Sequence, residues 1–506
     1  MLYSILPSLV TKEERHVQEK SAIFIGNEMY RYEQVDEFAG KLAYQLRERF
    51  TLHENDVLAI QSSNTLEYIV TLLACLRIGV SVTPLNPALK EAEIHYQLEH
   101  SDAKMFIYEA TVAEKAERAV EQLKNDIPRI IFGGTSDAAI SFTSLLSAEV
   151  ASLAPQTVTA NTIGLIIYTS GTTGRPKGVL LSHRNMMAMI DMSCHSFQLT
   201  NRDRSYLTLP LFHVNAIMFS LLSMFYKDGS VVVRKRFDID KFLPDIDTFK
   251  PTYTSGVPTI YHMLVQLPDG SEDGYNLSSV RFGICGAAPV SKSLFERFEK
   301  RFPFILIEGW GLSEGTTAST LNPLDGTRKI GSIGLPIVGQ EVRVKDDAGN
   351  FLAANEIGEL VVKGPNVMEG YLNNEEETER TIQDGWLHTG DLGYYDEDGY
   401  LYIVDRKKDL IIRGGMNIYP KQIEEVIHEI RDVVEVAVIG VPDEKYGEEV
   451  KAFVALTESS SVTEEDIINY CKEKLANYRC PKEVVILEEL PKNSVGKVTK
   501  FALKNL

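Results

Sequence analysis

Tyr168-Thr169-Ser170-Gly171-Thr172-Thr173-Gly174-Arg175-Pro176-Lys177-Gly178 is the stretch on which the reading turns. It follows an apolar segment, Ile163 to Tyr168, that reads as a strand. A glycine-rich loop placed after a strand is a ready anion cradle. Gly171, Gly174 and Gly178 let the backbone approach a phosphate, four hydroxyls add donors, and Lys177 adds charge. It is not a Walker A loop, because the lysine stands between proline and glycine rather than before serine or threonine.

Outward from that loop, the chain alternates strands and helices. Upstream come strand Val57 to Ile60, helix Leu66 to Ile78, strand Val80 to Pro84, helix Lys90 to Glu99 and strand Met105 to Tyr108. Downstream a helix is expected to begin near Ser182, with strands at Ser230 to Val233 and Val280 to Cys285. Such alternation predicts an α/β body with mixed or parallel sheets covered by helices. Beyond about residue 330 the texture changes. Gly358 to Gly364 and Gly399 to Arg406 alternate apolar and polar residues, as antiparallel strands of a small barrel-like unit would. The last hundred or so residues predict a small α+β domain: helix Pro420 to Ile430, strands Val434 to Ile439 and Val450 to Leu456, helix Thr463 to Leu475. The expected division is 1–404 for the large body, 405–408 for a hinge and 409–506 for a mobile cap.

Composition narrows the class. A chain of 506 residues exceeds one ordinary core, and 44% apolar with 24% charged residues is globular in character. A net charge of −19 disfavours nucleic acid as a partner. The five cysteines are scattered and odd in number, which argues against a disulfide framework and for a reducing cytoplasm. The amino terminus lacks the pattern of a secretory signal, and no apolar run approaches the roughly eighteen residues of a membrane span.

The loop resembles the signature of the adenylate-forming enzymes, which include acyl-CoA synthetases, luciferases and adenylation domains of peptide synthetases. Further motifs of that family follow in order: Leu209-Pro-Leu-Phe-His213, Gly286-Ala-Ala-Pro289, Glu308-Gly-Trp-Gly-Leu-Ser-Glu314, Gly385-Trp-Leu-His-Thr-Gly-Asp391, Asp405-Arg-Lys-Lys-Asp409 and Pro491-Lys-Asn-Ser-Val-Gly-Lys497. The resemblance implies an ATP-dependent acid–CoA ligase. A carboxylic acid and ATP would give acyl-AMP and pyrophosphate, and acyl-AMP and CoA would then give acyl-CoA and AMP. Magnesium would accompany ATP.

Residue roles follow from the same resemblance. Thr169, Ser170, Gly171, Thr172, Thr173, Gly174 and Lys177 would hold the phosphates, and Glu314 with Thr169 would bind magnesium, a cation that prefers hard oxygen donors. Gly286, Glu308, Gly309, Trp310, Gly311 and Ser313 would line the nucleotide pocket; Trp310 stands where tyrosine is usual and keeps the aromatic face. Asp391 and Arg406 would bind the ribose. Lys497 is the lysine expected to act in adenylation, by offsetting charge as the carboxylate attacks the α-phosphate. Lys408 matches the hinge about which the small domain rotates between half-reactions. Arg236, Gly414 and Gly415 would serve CoA, although many relatives carry lysine at position 414.

His213, Asn215, Met218 and Gly309 are the expected acyl-pocket residues. Small and apolar side chains there, without a basic partner for a second carboxylate, point first to a medium- or long-chain fatty acid. An aromatic acid is the alternative, since Asn215 offers a hydrogen bond to a ring substituent. Loading of a carrier protein instead of CoA is a third reading. The expected partners are small molecules, and the expected oligomeric state is monomer or homodimer.

Overall fold

The structure is a computed structural model that describes residues 6–169, 175–286, 290–457, 460–492 and 498–504. Ser170 to Gly174, Ala287 to Pro289 and Lys497 lie outside the described residues. The chain divides into two compact units, residues 1–342 with 362–387, and residues 343–361 with 388–506. Each division falls inside a strand: Glu341–Lys345, Gly358–Lys363 or Trp386–Tyr395.

Two sheets organise the first unit. One has eight strands in the order Gly370–Tyr371, Lys177–Ser182, Ile163–Thr169, Ser81–Leu85, Val57–Gln61, Met105–Glu109, Arg129–Phe132 and Ile140–Ser141. The strands from Ser81–Leu85 through Val57–Gln61 and Met105–Glu109 to Ile140–Ser141 are parallel. Those at the other edge turn back, with Ile163–Thr169 antiparallel to Lys177–Ser182. The other sheet has nine strands, and its centre is parallel: Ile305–Trp310, Phe282–Cys285, Tyr253–Gly256, Arg204–Leu207 and Ser230–Val233.

The helix Leu66–Ile78 shows why the upstream reading was sharp. The Thr65 hydroxyl accepts from the Tyr68 N–H at 3.2 Å, and Gly79 closes the helix in the left-handed region at φ +75°. Between those caps eleven of thirteen side chains are buried, as a helix covering a sheet requires. Even Arg77 is buried, paired with Asp36 and donating to the Leu153 carbonyl at 3.0 Å.

The sequence predicts a loop running directly into a helix near Ser182. The structure inserts the strand Lys177–Ser182 before that helix, His183–Ser196. Ser182 then caps the helix reciprocally with Asn185. His183 follows at the first helical turn, fully buried, and neither ring nitrogen has a partner. Burial favours the neutral imidazole and lowers its pKa from 6.5 to about 4. Below pH 6.5 the unfolded chain takes up a proton that the folded chain refuses. Stability therefore falls as pH drops through that window, by about 3 kcal/mol on reaching pH 4 at about 1.4 kcal/mol per pH unit. Denaturant unfolding at pH 7 and pH 4 should show that loss in the native chain and a flatter dependence in His183→Leu. Equal pH slopes in the two proteins would remove His183 as the cause.

The second unit is α+β. Its sheet runs Met416–Ile418, Ile411–Arg413, Gly447–Leu456, Val433–Asp443, with Glu483–Leu487 parallel beside Gly447–Leu456. Helices Pro420–His428 and Glu464–Lys474 bury Ile423, Ile427, Ile467 and Cys471 against Val438, Val450 and Val454. In the same unit, residues 391–395 of Trp386–Tyr395 pair antiparallel with Leu401–Arg406. All five cysteines are free and buried. Among the described residues no helix is long and apolar enough to cross a membrane.

Candidate active site

In an open parallel sheet, ligands bind beyond the carboxyl ends of the strands, because the loops there can vary without disturbing the ladder. The nine-stranded sheet gathers the expected residues at that end. Gly286 follows Phe282–Cys285, and Glu308, Gly309 and Trp310 finish Ile305–Trp310. Gly311, Ser313 and Glu314 lie in the turn that follows. Glu308 is buried, and Trp310 is only 8% exposed, so most of the indole packs inside the protein.

That turn is tight. Thr316 and Thr317 take φ of +54° and +113°, where residues with a Cβ are uncommon. The Ser319 N–H donates to the Trp310 carbonyl at 2.8 Å, and the Thr317 N–H donates to that of Leu312 at 3.1 Å. A Cβ on Gly311 would sit 1.7 Å from the Thr317 carbonyl oxygen. Only glycine lets the two backbone segments pass.

His213 comes after Arg204–Leu207, and its ring lies 4.4 Å from that of Phe212. The residue keeps substantial solvent exposure, yet protein atoms packed around the ring desolvate it and draw its pKa down to about 4. It is therefore neutral at physiological pH. Asn215 accepts a hydrogen bond from Ser255, 3.1 Å away, and Met218 is buried in the π-helix Ala216–Leu222. Sequence reasoning missed both Ser255 and the π-helix, since neither carries a local signal.

Thr169 and Lys177 face each other across the antiparallel pair that brackets the glycine stretch. Helix Glu91–His100 touches both ends of that stretch. The Tyr96 hydroxyl donates to the Pro176 carbonyl at 2.9 Å, and His100 Nδ1 lies 2.9 Å from the Tyr168 hydroxyl. The Lys177 ammonium pairs with Glu377 and sits 4.8 Å above the Tyr371 ring. The Tyr371 hydroxyl donates to Glu314 Oε1 at 2.9 Å. Lys177 and Glu314, far apart in sequence, are thus joined through Tyr371. Neither Tyr371 nor Glu377 belongs to a motif quoted above.

In the second unit Asp391 is buried and Arg406 Nε lies 3.1 Å from its Oδ1. Lys408 is exposed in the short helix Lys407–Asp409. Gly414 and Gly415 form the two-residue turn between Ile411–Arg413 and Met416–Ile418, with φ of +57° and +81°. Two successive left-handed residues make a type I′ hairpin turn, which explains glycine at both places. Arg236 of the first unit is exposed, next to Arg234, which pairs with Asp245, and Lys235, which pairs with Glu109.

For magnesium, the donor set agrees with the ion's preference for hard oxygens: a half-buried carboxylate, Glu314, and a hydroxyl, Thr169. A single protein carboxylate beside phosphate oxygens is the usual pattern for this ion.

The chain is similar to known proteins over nearly its whole length. The family model described as AMP-binding enzyme matches residues 10–372, and that described as AMP-binding enzyme C-terminal domain matches 422–497. Oxalate–CoA ligase of Arabidopsis thaliana is 36% identical over 451 residues, covering 88% of this chain and 87% of that protein. Long-chain-fatty-acid–CoA ligase of Bacillus subtilis is 33% identical over 529 residues, covering 98% and 94%. The crystal structure of ATP-bound MatB from Rhodopseudomonas palustris superposes with a TM-score of 0.90 at 30% identity, covering 100% of this chain and 99% of that one.

Proposed function

This chain belongs to the AMP-binding enzyme family, and from that premise we propose that it is an ATP-dependent acid–CoA ligase whose acid is a medium- or long-chain fatty acid. Adenylation would join the acid carboxylate to AMP with release of pyrophosphate, and CoA would then take the acyl group as a thioester. The observation that carries the reading is its breadth: relatives named as CoA ligases align across nearly the whole chain.

The proposed residue roles rest on the motifs the chain shares in resemblance with adenylate-forming enzymes. Thr169 and Lys177 would serve the phosphates along with Ser170, Gly171, Thr172, Thr173 and Gly174. Trp310 with Gly286, Glu308, Gly309, Gly311 and Ser313 would hold the adenylate, and Asp391 and Arg406 the ribose. Glu314 and Thr169 would hold magnesium, which supplies positive charge to the phosphates. Lys497 would offset the charge that builds at the α-phosphate, Lys408 would be the hinge, and Arg236, Gly414 and Gly415 would meet CoA. A neutral His213 cannot act as a cation; its ring would shape the entrance to the acyl site, and the acid, ionised at neutral pH, needs no base.

Apolar Met218 supports the aliphatic acid. An aromatic acid is the second reading, favoured by the Asn215 amide that Ser255 fixes. Free, buried thiols suit a reducing compartment, and the cytoplasm is the proposed location.

The test is pyrophosphate release with ATP and magnesium across aliphatic, aromatic and dicarboxylic acids, with and without CoA. Release that depends on a fatty acid, with acyl-CoA seen by mass, is expected. Preference for a benzoate or cinnamate would select the aromatic reading, and preference for a short dicarboxylic acid would overturn both. Acid-dependent release without acyl-CoA would redirect the second half-reaction to a carrier protein.

A further inference from the structure

Resting on that reading, we propose that Tyr371 is a positioning residue for the magnesium-binding carboxylate of Glu314, braced from behind by Lys177 and Glu377. A carboxylate that must meet a metal keeps its orientation only if another group holds it, and such outer partners govern affinity without touching the ion.

Glu314 is clasped twice by one short segment. The Met368 N–H donates to its backbone carbonyl at 2.8 Å, and the Tyr371 hydroxyl donates to its Oε1 at 2.9 Å. The first contact places the residue and the second sets the plane of its carboxylate. Tyr371 is itself fixed on several sides. It pairs with Val179 at the edge of the strand carrying Lys177, its N–H donates to the Thr378 hydroxyl at 2.9 Å, and it is only 8% exposed.

Lys177 and Glu377 complete the arrangement. The ammonium lies over the ring face at 4.8 Å, which draws electron density from the phenol and strengthens its O–H as a donor. Glu377 holds that ammonium in place, and its position is set by the Asn374 cap of helix Glu375–Thr381, whose side chain accepts from the Glu377 N–H at 3.2 Å. Charge and geometry therefore run in one line: Glu377, Lys177, Tyr371, Glu314. The line ends at the carboxylate that would meet the metal.

The experiment is a titration of the full chain with Mn²⁺ in the presence of ATP, read as the loss of free-ion paramagnetic resonance signal beyond the loss that the same ATP causes without protein, alongside calorimetry with AMP. AMP carries no β- or γ-phosphate, so its affinity reports the pocket apart from the metal. Tyr371→Phe keeps the ring and removes the donor; it should weaken ATP-dependent Mn²⁺ binding about tenfold or more and leave AMP affinity unchanged. Glu377→Gln should act in the same direction by about threefold, because it loosens the lysine without removing the hydroxyl. Mn²⁺ affinity unchanged in Tyr371→Phe would overturn the proposal. So would a parallel loss of AMP affinity, which would make Tyr371 a simple tether. A native chain that holds no Mn²⁺ with ATP would overturn the proposed function itself.

Discussion

Lys497→Ala is expected to reduce acid-dependent pyrophosphate release on the order of a hundredfold or more, while formation of thioester from supplied acyl-adenylate and CoA persists. The reasoning is electrostatic. In the first half-reaction an anionic carboxylate approaches an anionic phosphate, and negative charge accumulates on both sets of oxygens as the bond forms. A cation placed there lowers the barrier only for that step. In the second half-reaction the pyrophosphate has left and a thiol attacks a carbonyl, so the same cation contributes little.

Neighbouring lysines provide the controls. Lys492 bridges Glu435 and Glu489 at 2.9 and 3.1 Å, and Lys500 pairs with Glu424 at 2.7 Å. Lys492→Ala should therefore leave adenylation within a few-fold of native, since surface pairs of this kind are worth at most about 1 kcal/mol. Measuring the two half-reactions separately decides the matter, and equal loss of both in Lys497→Ala would assign the lysine to folding rather than to adenylation.

The second large effect is expected at Gly311. Alanine there would place its Cβ 1.7 Å from the Thr317 carbonyl oxygen and 2.5 Å from the Ala318 Cα. Both are backbone atoms, so no side chain can rotate away. Relief requires opening the turn that carries Ser313 and Glu314, and that turn already holds two threonines at positive φ. Destabilisation of about 3 kcal/mol is expected, together with loss of measurable AMP binding by calorimetry. Gly326→Ala is the comparison, because nothing lies within 4 Å of the added Cβ and only the backbone φ of +107° disfavours a side chain; about 1–2 kcal/mol is expected there. A Gly311→Ala protein that melts and binds AMP like the native chain would show that the turn yields cheaply.

What could be read from the sequence, and what could not, follows from the range of the forces involved. A helix around Leu66 to Ile78 was legible because its apolar run is local, as are the cap and the terminal glycine that the structure shows at its ends. The strand Lys177–Ser182 was missed because its apolar run, Val179 to Leu181, is too short to fix its state, which its partners Ile163–Thr169 and Gly370–Tyr371 decide. The site divides the same way. Glu314 and Asp391 stand inside recognisable motifs, whereas Tyr371 and Glu377 acquire meaning only when the chain folds Lys177 against them. Gly414 was legible as a departure from relatives, but the reason for glycine at both 414 and 415, a type I′ turn, needed the backbone.

The pairing of Val179 with Tyr371 also bears on how the protein is made. Ribosomes extend a chain by about 5–20 residues each second. The strand that leaves the glycine stretch therefore emerges tens of seconds before its outer partner. Throughout that interval its edge is open, apolar at Val179, Leu180 and Leu181, and able to pair with the wrong strand. Slowing synthesis between these two segments should lower the yield of soluble protein more than slowing it after residue 372, and chaperones that shield strand edges should matter most in that window.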